Sequence, residues 1–206
     1  MRLTYAITVC NEFIEIQRLI AFLLKHKRPQ DDIVVLYDSK NGDREIENFL
    51  RSHSVNAEFA WHKAEFTGHF ADWKNHLNQF CTGDYIFQID ADEMVSEYIC
   101  RILPQIIQHN QVDVIRVPRI NTVTGMSQDH MQQWGWAVNE KGWINFPDYQ
   151  WRIYRNAPEI VWQNRVHEVL IGYKTISHLP EDAEFCLMHE KTIERQIKQN
   201  EYYNTL

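Results

Sequence analysis

The stretch Gly83-Asp84-Tyr85-Ile86-Phe87-Gln88-Ile89-Asp90-Ala91-Asp92-Glu93 decides the fold. Its middle, from Tyr85 to Asp90, has the aromatic and β-branched content of a buried strand and stops at an acid. Upstream the pattern recurs: Asp32-Ile33-Val34-Val35-Leu36-Tyr37-Asp38 ends in Asp38, and the strand over Leu3–Val9 runs into Cys10-Asn11-Glu12. Helices separate these strands. Within residues 14–26, Ile16, Leu19, Ile20, Phe22 and Leu23 recur at helical spacing, and Pro29 with Gln30-Asp31-Asp32 breaks the run. Residues 44–53 read as a short helix, 55–61 as a third strand, and 70–81 as a helix stopped by Thr82-Gly83. This β-α-β-α-β-α-β order predicts an α/β fold with a mostly parallel sheet flanked by helices. Ligands of such sheets sit at the C-terminal ends of the strands. Cys10-Asn11-Glu12, Asp38-Ser39 and Asp90-Ala91-Asp92 are therefore expected on one edge.

The second half is less regular. Residues 96–109 read as a helix, 112–117 as a strand followed by Pro118, and 121–151 as a long, partly ordered loop rich in Gly, Gln and Trp. Residues 151–155 and 166–171 read as strands and 192–203 as a helix. No repeat or linker divides the 206 residues, so one domain over 1–206 is expected, with its halves meeting near residue 95.

A net charge of -7 argues against non-specific nucleic-acid binding, which rests on clustered Lys and Arg. In that field a phosphate ligand needs a local cation. Cys10, Cys81, Cys100 and Cys186 stand far apart with no C-x-x-C pair, so a zinc ribbon is not expected. Reduced thiols in a cytoplasmic protein are. The first apolar run meets Asn11 and Glu12 too early for a signal peptide. No run of about 18 apolar residues predicts a transmembrane segment.

Asp90-Ala91-Asp92 sets two carboxylates one residue apart at a strand end, where both can face one divalent cation. Mg²⁺ and Mn²⁺ take oxygen ligands and bridge to phosphates. The plainer alternative is a turn whose acids cap the next helix. The order of motifs, however, resembles the family-two glycosyltransferases of GT-A fold, particularly their lipopolysaccharide-type bacterial and viral branch. Cys10-Asn11-Glu12 resembles their entry motif, and Asp38 stands where an acid ends their second strand. Trp73-Lys74-Asn75, Thr82-Gly83-Asp84-Tyr85 and Asp90-Ala91-Asp92-Glu93 follow in the family's order. Arg152-Ile153-Tyr154-Arg155-Asn156, Val166-His167-Glu168 and His189 resemble its tail.

The resemblance implies a GT-A, Rossmann-like fold, with a nucleotide-sugar-binding half over residues 1–95 and a smaller acceptor half over 96–206. It implies transfer of a sugar, with inversion and with Mn²⁺ or Mg²⁺, from a nucleotide-diphosphate donor to a glycan or lipid-linked sugar acceptor in glycan or polysaccharide synthesis. Asn11, Glu12 and Asp38 would hold the nucleoside, and Lys74 would stand near base or phosphate. Asp90 would serve the ribose side or join Asp92 at the metal, which His189 would complete. Lys191 would neutralise the leaving diphosphate. Tyr37-Asp38-Ser39-Lys40 departs from the family, which more often has two acids before the Ser, and the family's later Glu-Asp base motif is absent as such.

Arg152 and Arg155 read as sharing one face of a strand, placed to clamp phosphate or to make structural ion pairs. Trp134, Trp136, Trp143 and Trp151 crowd the irregular segment, and at least one is expected to line the acceptor site. The base that takes the acceptor's proton belongs in this half, away from the cation; Asp129, Asp148, His167 and Glu168 are candidates. In a strand over 166–171, Glu168 shares an otherwise apolar face with Val166 and Leu170 while His167 points the other way. Glu168 is therefore the first choice and His167 the second; an ion pair of Glu168 with Arg152, Arg155 or Arg165 is the alternative. Two rival functions stay open. A nucleotidyltransferase acting on a sugar phosphate would be expected to carry a Gly-rich basic loop, which the chain lacks. A non-catalytic carbohydrate-binding module would leave Asp90-Ala91-Asp92-Glu93 idle.

Overall fold

The computed structural model describes residues 1–54 and 58–203. Strands β1 (Leu3–Val9), β2 (Asp32–Asp38), β3 (Ala60–Ala64) and β4 (Tyr85–Asp90) lie parallel in the order β3-β2-β1-β4. Thr8 of β1 pairs with Leu36 on one side and Asp90 on the other, so the three strands end at one level. The chain steps outward from β1 to β2 and β3, then returns past β1 to β4. The sheet thus reverses direction beside β1, where parallel sheets open a crevice for ligands.

Three helices make the crossovers: α1 (Phe13–His26), α2 (Arg44–His53) and α3 (Phe70–Asn78). Alternation along the strands sends side chains to two cores. Tyr5, Ile7 and Val9 join Ile16, Leu19 and Leu23 of α1 and Leu50 of α2, whereas Ala6, Val34 and Ile86 join Ala71, Trp73 and Leu77 of α3. Burial on both faces explains why these strands read as continuous apolar runs. Gly83 is required where β4 enters the sheet, because its N–H donates to Thr4 Oγ1 at 2.8 Å and a Cβ would lie 2.6 Å from the Thr4 nitrogen.

After β4 come β5 (Glu93–Met94) and α4 (Glu97–Asn110), which Ser96 caps by accepting from the Ile99 N–H at 3.0 Å. The remaining sheet strands are β6 (Val114–Thr124), β7 (Ile144–Arg155), β10 (Ile176–His178) and β11 (Leu187–Thr192). β7 runs antiparallel to both β4 and β6, and β11 runs parallel to β6 on its other side. Among the described residues the sheet has nine strands. A small antiparallel pair, β8 (Val161–Gln163) with β9 (Val169–Ile171), packs on α3, and α6 (Ile193–Tyr203) follows β11 directly. Among the described residues no helix is long and apolar enough to cross a membrane.

Several expectations need correction. The third strand is β3 at Ala60–Ala64; residues 55–57 of the expected strand lie outside the described residues. α3 ends at Asn78, and Gln79, Phe80 and Cys81 close it with tighter bonds to the carbonyls three residues back. The strand expected to stop before Pro118 runs on to Thr124, with Pro118 opposite Tyr149. The expected loop over 121–151 instead holds the end of β6, a short helix α5 (Gln128–Trp134) and most of β7. Of the strand expected over 166–171, 169–171 form β9; Val166 and His167 lie in a bend, with His167 left-handed at φ 53°, and Glu168 follows it outside any strand.

Candidate active site

Asp38, at the end of β2, is 3% exposed and organises the loop that follows. Its Oδ1 accepts from the N–H groups of Lys40 (2.9 Å) and Phe66 (3.1 Å), and its Oδ2 from Asn41 Nδ2 (2.8 Å). The loop turns back on β1 through Gly42, where a Cβ would lie 2.2 Å from the Asp38 carbonyl oxygen. At the end of β1, Glu12 Oε2 accepts from the N–H of Cys10 (2.9 Å) and of the exposed Asn11 (3.1 Å). Asn11, Glu12 and Asp38 thus lie at the adjacent C-terminal ends of β1 and β2. Burial, with Asp38 and Glu12 nearby, pushes the Cys10 thiol up to about 12, so it stays neutral.

At the end of β4, Asp90 accepts from Gln88 Nε2 at 2.9 Å and from Arg152 Nη2 at 2.6 Å. Burial alone would raise its carboxyl, but Arg152, Lys74 and Gln88 hold it well below the usual carboxylate range. The same Arg152 donates to Glu93, which is fully buried and also accepts from Arg119 at 3.0 Å. Arg152 is itself 2% exposed, so the structure commits it to Gln88, Asp90 and Glu93. Arg155 pairs with Asp113 over the Tyr85 ring. The expectation that these arginines share a face is corrected, because residues three apart on a strand face opposite ways.

Asp92 faces a different set. His189 and Lys191 alternate on β11, so both point to the Asp92 side, and both are under a tenth exposed. His189 Nε2 lies 3.3 Å from Asp92 Oδ2, Lys191 Nζ 3.6 Å, and Arg195 Nη2 of α6 3.5 Å. Burial acts against ionisation of Asp92, yet the bond to His189 and the charges around it hold its carboxyl far below the ordinary range. The histidine tautomer follows from its other side. Arg119 donates to Asp148 Oδ2, and Asn121 Nδ2 donates to the same oxygen at 2.8 Å, which turns Asn121 Oδ1 toward His189 Nδ1 at 2.7 Å. An amide oxygen only accepts, so Nδ1 carries the hydrogen and Nε2 is left facing the carboxylate. A proton or a cation must lie between them. The 3.3 Å separation fits two ligands of one octahedral cation, whose neighbouring donors stand about 3 Å apart at bond lengths of about 2.1 Å. Among the described residues no group of three or more His, Cys, Asp or Glu side chains forms a fuller cage. A cation here would complete its shell from a ligand and water.

The third group links α3 to the β8–β9 pair. Lys74 Nζ donates to Glu168 Oε1 at 2.5 Å and lies 4.5 Å from the centre of the Trp162 ring. Asn75 fixes the neighbouring backbone by exchanging hydrogen bonds with Trp162 at 2.9 Å. The strand argument for Glu168 therefore does not hold, since the left-handed turn at His167 sets its direction. Its ionic partner is Lys74 rather than Arg152, Arg155 or Arg165. Asp129 is exposed in the first turn of α5, and Asp148 is tied to Arg119, Asn121 and Gln150. Trp134 packs with His130 and Trp136, Trp143 with Phe146, and Trp151 with Tyr173. Arg119, Asn121 and Arg195 were not anticipated; Gln88, a polar residue inside an apolar strand, was the visible signal of this polar network.

A family model described as glycosyl transferase family 2 matches residues 4–172. No protein of curated function matches the chain in sequence. Crystal structures with the same fold include S. aureus TarS 1-349 at 15% identity and TM-score 0.64, covering 92% of this chain and 60% of that one. TarS 1-349 in complex with UDP-GlcNAc aligns at 14% identity and TM-score 0.67, covering 93% and 59%. TarS 1-349 in complex with UDP aligns at 14% and 0.66, covering 92% and 60%. The chain therefore spans about 60% of these TarS structures.

Proposed function

The chain belongs to glycosyl transferase family 2 and has its GT-A fold, and from that premise we propose that it transfers a sugar from a nucleoside-diphosphate donor to an acceptor hydroxyl, with inversion and with Mn²⁺ or Mg²⁺. The carrying observation is the meeting of Asp92 and His189 at the strand edge that also bears Glu12 and Asp38. Asp92 and His189 are the residues that would hold the cation, and Asp90, fixed by Arg152, serves the ribose side. When bound, the cation offsets the charge of the diphosphate. Glu12 and Asp38 shape the nucleoside pocket, and the buried Lys191 supplies fixed positive charge beside Asp92.

Transfer forms a bond from the acceptor oxygen to the anomeric carbon and breaks the bond from that carbon to the diphosphate. The acceptor proton passes to Glu168, which Lys74 holds in place, with His167 as the second choice. The Trp-rich second half supports a glycan or lipid-linked sugar as acceptor, and a role in polysaccharide synthesis. Four free thiols support a cytoplasmic setting.

A panel of nucleotide sugars assayed for hydrolysis and transfer, with and without Mn²⁺, tests the reading. Release of a nucleoside diphosphate in the presence of Mn²⁺ is expected. Release of pyrophosphate would turn the reading to a nucleotidyltransferase, and glycan binding without nucleotide binding to a carbohydrate-binding module.

A further inference from the structure

Helix α6 begins two residues after Lys191 and brings Arg195 into the site. One nitrogen of that guanidinium, Nη2, donates to Glu12 Oε1 at 3.1 Å and stands 3.5 Å from Asp92 Oδ2, while Nη1 donates to Glu15 Oε1 at 2.6 Å. Arg195 therefore touches both the β1 end, assigned to the nucleoside, and Asp92 of the pair assigned to the cation. The helix continues along the same line. Gln199 accepts from Lys191 Nζ at 2.5 Å, and burial together with the Asp38 carboxylate raises the Tyr202 hydroxyl at the far end.

We propose that Arg195 is a donor-binding residue, delivered by α6, whose guanidinium exchanges Glu12 and Asp92 for the diphosphate when the donor enters. This rests on the reading of the site as a nucleotide-sugar site. In a donor the diphosphate adjoins the nucleoside and is the part whose charge a cation offsets, and Arg195 lies between the residues assigned to nucleoside and cation. Its planar fork suits phosphate oxygens. The exchange leaves no carboxylate stranded. Glu12 Oε2 keeps the Cys10 and Asn11 N–H groups, the half-exposed Glu15 returns to water, and Asp92 keeps His189 and Lys191. Three carboxylates hold Arg195 in place, so an incoming anion meets a cation already in position.

The test is calorimetric titration in Mn²⁺ of UDP, GDP, CDP, ADP and dTDP, each beside its own nucleoside. If the wild-type chain binds none of the diphosphates, the glycosyltransferase reading itself fails. If it binds one, Arg195→Ala should weaken that diphosphate by about 10- to 100-fold, the scale of a lost charged hydrogen bond. Binding of the matching nucleoside should change by less than about threefold. Arg195→Lys, which keeps the charge but not the fork, should fall between, and it carries the same comparison should the alanine variant not fold by circular dichroism. Equal weakening of diphosphate and nucleoside would make Arg195 a structural pin for α6 and overturn the proposal, as would unchanged diphosphate affinity.

Discussion

His189 Nε2 lies 3.3 Å from Asp92 Oδ2 although 97 residues separate the two in the chain. The contact exists because β11 lies on the far side of β6 from β7, antiparallel to the short β5 that follows Asp92. Register pairs His189 with Glu93, the residue next to Asp92, and so fixes the approach. Asp92→Asn keeps the shape but removes the anion. Turnover is expected to fall to background at every Mn²⁺ concentration, with circular dichroism unchanged. If His189 is a cation ligand as proposed, His189→Ala should shift the Mn²⁺ activation curve to higher concentration by about tenfold or more. A titration curve that overlays wild type would return His189 to a structural role.

A nucleoside diphosphate should raise the melting temperature only when Mn²⁺ or Mg²⁺ is present. Glu12, Glu15 and Asp92 face the same space, and a diphosphate adds further negative charge there. At about 100 times Kd, binding contributes roughly 2.7 kcal/mol. In a chain of this size that is a rise of roughly 5–10 °C. An equal rise in EDTA would show that Lys191 and Arg195 suffice without a cation.

Acid stability should depend on Asp113, far from the site. Its carboxylate accepts from the N–H groups of Lys174 (2.8 Å) and Thr175 (3.1 Å) and from Arg155, which together hold its pKa below the ordinary aspartate value. A depressed folded-state pKa adds stability that is present above the unfolded value, near 3.9, and lost as pH falls through the folded one. Asp113→Asn should therefore lower the melting temperature at neutral pH and flatten its fall below about pH 4. A variant whose acid limb parallels wild type would show that these bonds do not carry the effect.

How far this molecule can be read without coordinates follows from where its contacts lie. The strands around β1 announce themselves because both faces are buried, so β1, β2 and β4 are mostly apolar; β2 and β4 end in Asp38 and Asp90, and β1 leads into Cys10-Asn11-Glu12. The second half hides its strands. β6 passes through Pro118 and is irregular at Ile115–Arg116 and between Arg119 and Asn121, and β7 is paired to it across a long excursion. Without regular alternation neither announces its length. Motif order brings Asp92 and His189 together, but Arg195 lies on a polar helix whose spacing carries no hint of Glu12 or Asp92. The sequence points to Glu168 through a strand pattern that the structure replaces with a left-handed turn at His167, so its candidacy as base rests on position rather than on an apolar face.

Glu168 and Lys74 allow the sharpest separation of chemistry from stability. Their side chains are 14% and 6% exposed and 2.5 Å apart, with the ammonium also against the Trp162 ring. Glu168→Gln cannot take the acceptor's proton and need not touch the nucleotide. Transfer should fall by about 10²-fold or more while diphosphate binding stays at the wild-type level. Lys74→Met leaves the carboxylate buried without its cation and should cost about 3 kcal/mol in urea denaturation. The double variant removes both charges, so part of that loss should return, and the double-mutant cycle then measures the pair itself. Transfer by Glu168→Gln within about threefold of wild type would remove Glu168 as the base, since a positioned base contributes far more than that. The next candidate is then His167, the left-handed residue that precedes Glu168. His167→Gln would then show the 10²-fold loss instead.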